Sequence, residues 1–594
     1  MVKKLEELAD RVIETDFLII GGGLVGSTAS IRAKKNNANL DITIIDKAKM
    51  EFSGDGVGLD NFNQIPLRKE DFEKEVDDAD ASKAVFGADR LKGLRNLKLD
   101  AIQMKNSYIS QPLLEEVGVR IREDDGTLYV LQGYRSGTVW GRVEYDEDGK
   151  PTEPLFGSFS RASDLKMRLG TAVRKNGTRV FDRTMVTSII TRDGEAIGAT
   201  AINTRTGQFL VFKAKAILVA TGCAARLYPY QWSPYPNNLF YTLTSPVNHG
   251  GGHICALDAG AKLYCMEMGN FYNVSKGINH SSGGGACNWY FKMYNSQGEY
   301  LEDKYPDMVV TKAGGKIPGL NFLFAPNMQN AEVERDVILS AKNEATPDEV
   351  AAVYFTAVTE PPKALKFHKL AGGFTNERPA ECVAIMTGIG MAGGGIHREN
   401  EHSETGVKNL FAAGAVTGNG GSAGFTWGCL IADHVCELVE GKEQAKYDAE
   451  QLKHIDETRN WVFAPLGREA DYKVYPMELE DYVKQVNLNY IGVHKITARM
   501  QRALELIEFA KEGAVPLLVA NNPHELMRAI EVQHIIEISE LHAHSSLLRD
   551  ESRLIPVHFR DEYPAMDPKW DNMIVTAKKV ADETKYEVEK LNKE

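Results

Sequence analysis

The chain has 594 residues, more than one ordinary hydrophobic core organises, and we therefore expect two to four packed units. Hydrophobic residues make up 43% and charged residues 25%, a globular balance that excludes a disordered, collagen-like or coiled-coil chain. The 69 basic and 82 acidic residues give a net charge of −13, which argues against nucleic acid as the main ligand and favours a small molecule or a protein partner.

Residues 1–16 are charged and amphipathic, and the apolar stretch that follows is short and broken by glycines. This pattern predicts neither a signal peptide nor a membrane span at the start of the chain. No later apolar run approaches the ~18 residues that a membrane span needs. We expect a soluble, cytoplasmic protein.

Residues 16–50 predict a βαβ unit, because an apolar β-rich run is followed by a glycine turn, a helical stretch and a second apolar run, ITIID. Gly21, Gly23 and Gly26 supply the pattern G-x-G-x-x-G at the junction of the first strand and the helix. Asp46 ends the second strand, where a carboxylate can accept a hydrogen bond from a ribose hydroxyl. The unit predicts a dinucleotide site in which backbone N–H groups meet a pyrophosphate. The alternative is an ordinary glycine-rich turn.

Two later segments, residues 209–227 and 407–435, repeat the order of strand, glycine turn and helix. In the first, the strand AILVA runs into Thr221-Gly222, and in the second, the strand NLFAAG opens a glycine-rich loop before an apolar helix. We expect both strands to return to the first sheet, because a flavin dinucleotide needs backbone donors along its whole length. The alternative is that they are simply buried strands of a large α/β protein.

The composition changes at residues 266–375, which are polar and aromatic-rich and lack a parallel βαβ pattern, so this stretch predicts an inserted cap. After about residue 440, apolar residues recur at the three- to four-residue spacing of packed helices. The acidic segment at 144–154 predicts a solvated loop. The predicted fold is α/β: a Rossmann-like FAD-binding domain of the glutathione-reductase type with an inserted α+β capping domain and a helical C-terminal domain. The predicted boundaries are 1–265 and 376–440 for the two parts of the FAD-binding domain, 266–375 for the capping domain and 441–594 for the helical C-terminal domain.

The cysteines form no C-x-x-C pair and are scattered along the chain, at positions 223, 255, 265, 287, 382, 429 and 436. An odd and scattered set argues against a disulfide scaffold. It also excludes a ferredoxin-type iron–sulfur cluster within this chain, because such clusters need grouped thiolates. Any such cluster must therefore sit on another subunit.

Several segments resemble one protein superfamily: the opening ETDFLIIGGGLVGSTASIRA, the strand VFKAKAILVATG, the helix start S-x-G-F-T-x-G at 422–428 and the tail ESRLIPVHFRDEYPAMDPKW at 551–570. Across almost its whole length the sequence resembles the flavoprotein subunits of the fumarate reductase and succinate dehydrogenase superfamily, and within it the branch of adenylylsulfate reductase alpha subunits. The resemblance implies an anaerobic type of oxidoreductase with an FAD cofactor whose N5 atom meets the substrate beneath the cap.

The resemblance also implies that FAD lies against the glycine turns and the residues that flank them: Gly21, Gly23, Gly26, Asp46, Lys47, Ser53, Gly54, Thr221, Gly222, His249, Gly414 and Ser422. Covalent attachment in succinate dehydrogenases uses a histidine in an S-H-T run, whereas residues 53–63 of this chain contain no histidine. We therefore expect noncovalent FAD. His249 and His253 have a spacing typical of metal ligands, which leaves flavin-loop contact, plain packing and metal binding open, although no metal site is predicted.

Arg335 is the first catalytic candidate. In VERDVIL it stands where the family has an arginine that protonates substrate carbon, and the same group can serve as an anion clamp. The alternative is a surface helix arginine paired with Glu332 or Asp336.

Three groups that hold the carboxylates of fumarate in the family are absent. Tyr272 and Gly390 stand in place of two histidines, and the arginine before the last flavin loop has no counterpart in residues 417–424. Unpaired substrate charges in a partly dry site cost on the order of several kcal/mol, so we expect a substrate other than fumarate. Asn63, in GLDNFN, is similar to an asparagine beside the flavin in adenylylsulfate reductases, whereas Gly269 replaces an arginine that binds anionic sulfur ligands there.

The sequence therefore predicts an FAD-dependent oxidoreductase subunit whose flavin N5 exchanges two electrons with a small organic substrate held by Arg335, Tyr272 and Asn63. A ferredoxin-like iron–sulfur subunit is expected to relay single electrons. Two alternatives stay open: an adenylylsulfate reductase alpha subunit, and an FAD electron-transfer subunit without a substrate of its own. The sequence also leaves open the substrate's identity and whether the chain forms a homo- or hetero-oligomer.

Overall fold

The computed structural model describes residues 3–54, 94, 96–121, 124, 144–145, 151–153, 164–229, 240–241, 244–275, 292–294, 297–299, 338–341, 380–389, 394–418, 423–469, 471–492, 494–553, 557–581 and 583–591. None of the helices described there has the length and apolar character needed to cross a membrane.

The described strands are β1 (Arg11–Ile20), β2 (Ile42–Ile45), β3 (Glu144–Tyr145), β4 (Pro151–Glu153), β5 (Arg179–Phe181), β6 (Thr184–Arg192), β7 (Glu195–Asn203), β8 (Phe209–Val219), β9 (Phe240–Tyr241), β10 (Leu263–Tyr264), β11 (Gly269–Ser275), β12 (Lys292–Tyr294), β13 (Ile338–Ala341), β14 (Ala380–Ile389), β15 (Gly395–Ile396), β16 (Leu410–Ala412), β17 (His494–Lys495), β18 (Phe559–Arg560), β19 (Met573–Val580) and β20 (Glu583–Lys590). The described α-helices are α1 (Leu5–Leu8), α2 (Leu24–Asn36), α3 (Leu97–Asn106), α4 (Gln111–Glu116), α5 (Leu165–Lys175), α6 (Gly251–Asp258), α7 (Ala423–Leu438), α8 (Ala449–Phe463), α9 (Pro476–Tyr490), α10 (Thr497–Phe509) and α11 (Pro523–Leu548).

A largely parallel sheet carries the first glycine turn. β1 lies between β2 and β8 and is parallel to both, with Phe17 paired to Ile42 on one side and to Ala216 on the other. The apolar run at residues 17–20 is buried, as expected for a central strand with helices on both faces. β5 extends the sheet beyond β2, and the antiparallel strands β7 and β6 extend it beyond β8. The predicted βαβ unit is confirmed.

The segment at 407–435 returns to this sheet, as predicted, because β16 pairs in parallel with β8. α7 then packs along α2 at close range: a Cβ on Gly428 would lie 2.8 Å from the backbone oxygen of Val25. Arg32 of α2 donates two hydrogen bonds, of 2.7 and 2.9 Å, to Asp433 of α7. These contacts place the N-termini of both helices at the same end of the sheet.

A second sheet contains β11, β14, β13 and β12, with β9 added in parallel beside β14. β11 and β14 are antiparallel, and Gly269 pairs with Ile389. β14 thus shares a sheet with β11 of the predicted cap, although the sequence boundaries placed residues 376–440 in the FAD-binding domain. The boundary at 375 falls short because the strand that pairs with β14 lies more than 100 residues earlier and leaves no local signal. Residues 144–154, predicted as a solvated loop, contain the antiparallel pair β3 and β4.

The C-terminal part is helical from α8 to α11, as the spacing of apolar residues predicts. α11 is 26 residues long and buries residues all round its surface, because it packs against α9, α10 and the start of α6. The helical assignment of residues 441–594 is corrected at its end, where β19 and β20 form a hairpin. β19 pairs with β10, Ala577 against Leu263, so this hairpin completes a four-stranded sheet with the FAD-binding domain.

Candidate functional site

Close packing shapes the glycine turn between β1 and α2. Gly21 has a φ of +105°, and a Cβ there would lie 2.4 Å from the backbone oxygen of Ala220. A Cβ on Gly26 would lie 2.1 Å from the oxygen of Gly21. Both positions therefore exclude a side chain. Gly23 differs, because the nearest atom to an added Cβ is the Ala220 oxygen at 3.9 Å.

Gly23 is also the N-cap residue of α2, and no side-chain hydrogen bond caps this end of the helix in the described structure. The first backbone N–H groups of a helix have no partner within it, and they carry the positive end of its dipole. Open space beside an uncapped helix start is what a pyrophosphate needs.

Asp46 follows β2 directly and is buried beside this turn. Its carboxylate accepts hydrogen bonds from Gly22 N at 2.9 Å, from Ser53 Oγ at 2.7 Å and from Ala48 N at 2.8 Å. An ionised carboxylate has about four acceptor sites, so these three bonds leave one for a ribose hydroxyl. Gly54, next to Ser53, has a φ of +76° and no described atom within 4 Å of an added Cβ.

Lys166 of α5 belongs to the site although the sequence did not reveal it. Its ammonium group donates a hydrogen bond to the carbonyl oxygen of Gly22, and the residue is 2% exposed. Burial lowers the pKa of Lys166 to about 8, against the opposing charges of Asp46 and Glu51. A cation at the glycine turn suits an anionic ligand. Its signal in the sequence is weak, because it is one of several basic residues in LKMRLGTAVRK.

The C-terminal end of β8 lies against the start of α6. Thr221 Oγ1 is buried and has no hydrogen-bond partner among the described residues, and a Cβ on Gly252 would lie 2.0 Å from it. Gly222 has a φ of +78°, and its Cβ would lie 2.9 Å from Asn248 Nδ2. A buried hydroxyl without a partner requires an explanation, and a polar ligand supplies one.

The third glycine turn follows β16. Gly414 has a φ of +84°, and its Cβ would lie 2.7 Å from Val25 Cγ2 in the first turn of α2. Residues 415–417 form a short 3₁₀ helix, and the carbonyl oxygen of Thr417 accepts a hydrogen bond of 3.0 Å from Tyr264 Oη. The three turns thus meet at one end of the sheet, around the start of α2. The glycine cradle, the anchored carboxylate and the unpartnered hydroxyl fit an FAD molecule.

The side chains of Lys47 and His249 lie at this end of the sheet and contact α11. Lys47 Nζ donates a hydrogen bond of 2.8 Å to His249 Nδ1 and also binds Glu531. Burial, and then the charge of Lys47, hold the pKa of His249 well below its ordinary value, so the imidazole is neutral. Burial also lowers the pKa of Lys47, while Glu531 opposes that shift. Both side chains link the turn region to the C-terminal helices, and their direct contact with FAD stays a prediction.

His253 is fully buried in α6. Burial lowers the pKa of His253 to about 4, against the opposing effect of the carbonyl groups of Gly250 and Val416, so this ring is neutral too. Within the described ranges, no three His, Cys, Asp or Glu side chains are grouped so that they could hold a metal ion. The structure therefore provides no third ligand there for the metal-like spacing of His249 and His253.

The catalytic candidates fall largely in other parts of the chain. Asn63 and Arg335 lie outside the described residues, and so does Ser422 of the last glycine loop. Tyr272 lies in β11, where its backbone pairs with Ile385 of β14. The roles of Asn63, Tyr272 and Arg335 stay predictions.

Comparisons with known proteins bear on this fold. An FAD binding domain family matches residues 112–279, and a fumarate reductase flavoprotein C-terminal family matches residues 481–594. An uncharacterized FAD-dependent oxidoreductase of Methanocaldococcus jannaschii is 24% identical, over 96% of this chain and 97% of that protein. The fumarate reductase (CoM/CoB) of Methanothermobacter marburgensis contains one polypeptide that is 23% identical, over 96% of this chain and 99% of that polypeptide.

Solved structures share the fold at low sequence identity. Adenylylsulfate reductase of Archaeoglobus fulgidus superposes with a TM-score of 0.77 at 23% identity, covering 100% of this chain and 98% of that one. The FrdA chain of E. coli quinol fumarate reductase superposes with a TM-score of 0.74 at 20% identity, covering 98% of this chain and 97% of that one.

Proposed function

The chain belongs to the fumarate reductase and succinate dehydrogenase flavoprotein superfamily and is an FAD-dependent oxidoreductase, and from this premise we propose that it acts on an organic substrate other than fumarate. The loss of the family's dicarboxylate ligands carries the proposal. Tyr272 and Gly390 stand in place of two histidines, and residues 417–424 contain no arginine. A dicarboxylate would leave charge unpaired at these positions, at a cost on the order of several kcal/mol.

When bound, FAD supplies the exchange of two electrons at N5, and the chain positions the substrate. We propose that Arg335 clamps an anionic group of the substrate, because a guanidinium stays charged at neutral pH and offers a planar fork of donors. Tyr272 supplies a hydroxyl that donates or accepts, and Asn63 supplies an amide that does both. This set suits an acceptor with one anionic group better than one with two carboxylates.

We also propose that FAD is bound without a covalent link. Residues 53–63 contain no histidine, while the glycine turns, Asp46 and Thr221 offer noncovalent contacts along a dinucleotide. Acid precipitation of the loaded protein should therefore release all of its flavin into the supernatant. Flavin that stays with the precipitated chain would contradict this proposal.

Single electrons, we propose, reach the flavin through a separate iron–sulfur subunit. The five cysteines in the described part of the chain are all free thiols. Burial raises the pKa of Cys429 to about 12 and that of Cys436 to about 11. Such thiols stay protonated at neutral pH, whereas cluster ligation needs thiolates. These cysteines therefore support a cluster on another chain.

An anaerobic reoxidation screen tests the proposed function. The FAD-loaded chain is reduced with dithionite, freed of excess reductant and mixed with a panel of unsaturated or oxidised organic acids while flavin absorbance is followed. We expect a monoanionic acceptor to reoxidise the flavin, and Arg335→Met to lose that reaction while it keeps its FAD. Fumarate reoxidising the flavin as fast as the best monoanionic acceptor would contradict the proposal.

The same preparation distinguishes two other functions. Reduction of the oxidised flavin by sulfite in the presence of AMP would establish an adenylylsulfate reductase, which the similarity of the fold to the A. fulgidus enzyme and the position of Asn63 favour. Reoxidation by a ferredoxin, with no small-molecule acceptor active, would establish an electron-transfer subunit.

A further inference from the structure

One carboxylate on α11 joins three loops of the FAD-binding domain. The side chain of Glu531 is 2% exposed. It forms ion pairs with Lys47 and Arg226, and its Oε1 lies 4.0 Å from His249 Nδ1. Each of these three residues borders a segment that we assign to the cofactor site.

The contact with Lys47 ties α11 to the end of β2. Lys47 is next in the chain to Asp46, the carboxylate that is anchored beside the glycine turn. Its ammonium group donates to Glu531 Oε1 and, at 2.8 Å, to His249 Nδ1. A shift of Lys47 therefore moves Asp46 as well.

The contact with Arg226 ties α11 to the segment that follows β8. Arg226 lies four residues beyond Gly222 and is buried. Its Nη1 donates to Glu531 Oε2 at 2.6 Å and to the carbonyl oxygen of Pro246 at 3.2 Å. Its Nε donates to Glu480 Oε1 of α9 at 3.0 Å. One arginine thus fixes this segment to two C-terminal helices.

The contact with His249 reaches the start of α6. A lysine ammonium group can only donate, so His249 Nδ1 accepts from Lys47 and the Nε2–H group is left to donate. That group meets His534 Nδ1 at 3.2 Å, and the two rings stack with centroids 5.4 Å apart. His534 lies about one helical turn after Glu531 on α11, and His249 precedes Gly250, the N-cap of α6.

The charge of Glu531 is what these loops share. Burial would raise the pKa of Glu531, but Lys47 and Arg226 hold it well below its ordinary value, so the carboxylate is ionised at neutral pH. Lys47 has no other carboxylate in its ion pairs within the described residues. Removing the charge of Glu531 therefore leaves the Lys47 cation buried without an anion, a situation that folded proteins avoid.

We propose that Glu531 is a positioning residue that couples FAD binding to the docking of the C-terminal helices. It acts through the loops that carry Asp46, Gly222 and the start of α6. Because linkage between binding and docking is reciprocal, FAD should strengthen the docking of α11, and docked α11 should strengthen FAD binding. The inference rests on FAD at the glycine turns and not on the identity of the substrate.

Titration of the full-length apo-protein with FAD, and separately with ADP as a probe of the adenosine half, tests this coupling. Glu531→Gln removes the charge with almost no change of shape, and Glu540→Gln is the matched control, because Glu540 lies on α11 and pairs with the surface residue Lys511. We expect Glu531→Gln to weaken both ligands at least about tenfold, and Glu540→Gln to leave them within about twofold. Lys47→Met supplies a second variant in which Glu531 keeps its pair with Arg226.

Hydrogen exchange supplies a readout that simple destabilisation does not reproduce. FAD should slow exchange in the 523–548 helix of the wild-type chain and of Glu540→Gln, and should have little effect there in Glu531→Gln or Lys47→Met. If Glu531→Gln does not fold, the result for Lys47→Met decides. The proposal is overturned if these variants unfold at lower temperature yet bind FAD and ADP with wild-type affinity, or if FAD protects α11 equally in all of them.

Discussion

Replacing Gly23 by alanine separates the ligand-binding role of the glycine turn from its role in folding. Gly23 has a φ of −64°, which alanine adopts without strain, and the nearest atom to an added Cβ is 3.9 Å away. The methyl group therefore crowds no described neighbour but fills the open side of the turn, where we place the pyrophosphate. Gly21→Ala is the contrasting variant, because there φ is +105° and the Cβ would lie 2.4 Å from the oxygen of Ala220.

The two variants should differ in where the energy is lost. In the apo-protein, Gly23→Ala changes only the N-cap residue and should lower the free energy of unfolding by about 1 kcal/mol or less. Gly21→Ala adds a left-handed alanine, at about 1–3 kcal/mol, and a clash with the backbone. In the loaded protein, the extra methyl of Gly23→Ala should weaken FAD binding by about 1–3 kcal/mol, which is about 5- to 150-fold in the dissociation constant.

Flavin fluorescence titration and thermal unfolding of the apo-protein measure these two quantities separately. We expect Gly23→Ala to unfold near the wild-type temperature and to bind FAD weakly, and Gly21→Ala to unfold at a clearly lower temperature. Wild-type FAD affinity in Gly23→Ala would refute the placement of the pyrophosphate. Wild-type stability in Gly21→Ala would refute the packing argument for the turn.

Three further predictions concern buried charges. Lys166→Met should weaken FAD binding about tenfold, because it removes the cation at the turn, and Lys175→Met at the far end of α5 should not; equal affinity in both variants would count against this role. Burial opposes but Arg226 and other cations lower the folded-state pKa of Glu480 to about 2 from 4.5, so its contribution of about 3 kcal/mol is present above pH 4.5 and lost as the pH falls towards 2. Denaturant unfolding of the wild type and Glu480→Gln should therefore differ at neutral pH and converge near pH 2, and a constant difference would contradict the assignment. Burial lowers the folded-state pKa of Lys495 to about 7 from 10.5, so between these values the unfolded chain binds more protons and the free energy of unfolding rises with pH. Lys495→Met should abolish that rise, and a rise of unchanged size would show that another group causes it.

The parts of the fold that the sequence predicted are those with local signals. The βαβ unit announces itself in a single stretch of 35 residues, with Gly21, Gly23 and Gly26 at one strand end and Asp46 at the next. Thr221-Gly222 follows a continuous apolar run, which is typical of a central parallel strand, and β8 does pair with β1. In each case the residues that make the structure are neighbours in the chain.

The parts that it missed depend on contacts between distant residues. β14 pairs with β11 across more than 100 residues, so its place in the capping sheet could not be read from composition. Lys166 and Gly22 are 144 residues apart, and Lys47 and Glu531 are 484 apart. A buried lysine looks like any surface lysine until the fold brings it to its partner. The hairpin of β19 and β20 was missed for a similar reason, because its pairing partner β10 lies some 300 residues earlier.

The rate at which fumarate reoxidises the reduced, FAD-loaded chain tests the central claim most directly. Because Tyr272 and Gly390 replace the two histidines and residues 417–424 supply no arginine, we expect fumarate to reoxidise the flavin no faster than buffer alone. Reoxidation by fumarate at roughly 1–10³ s⁻¹, the range of ordinary enzyme turnover, would contradict the account.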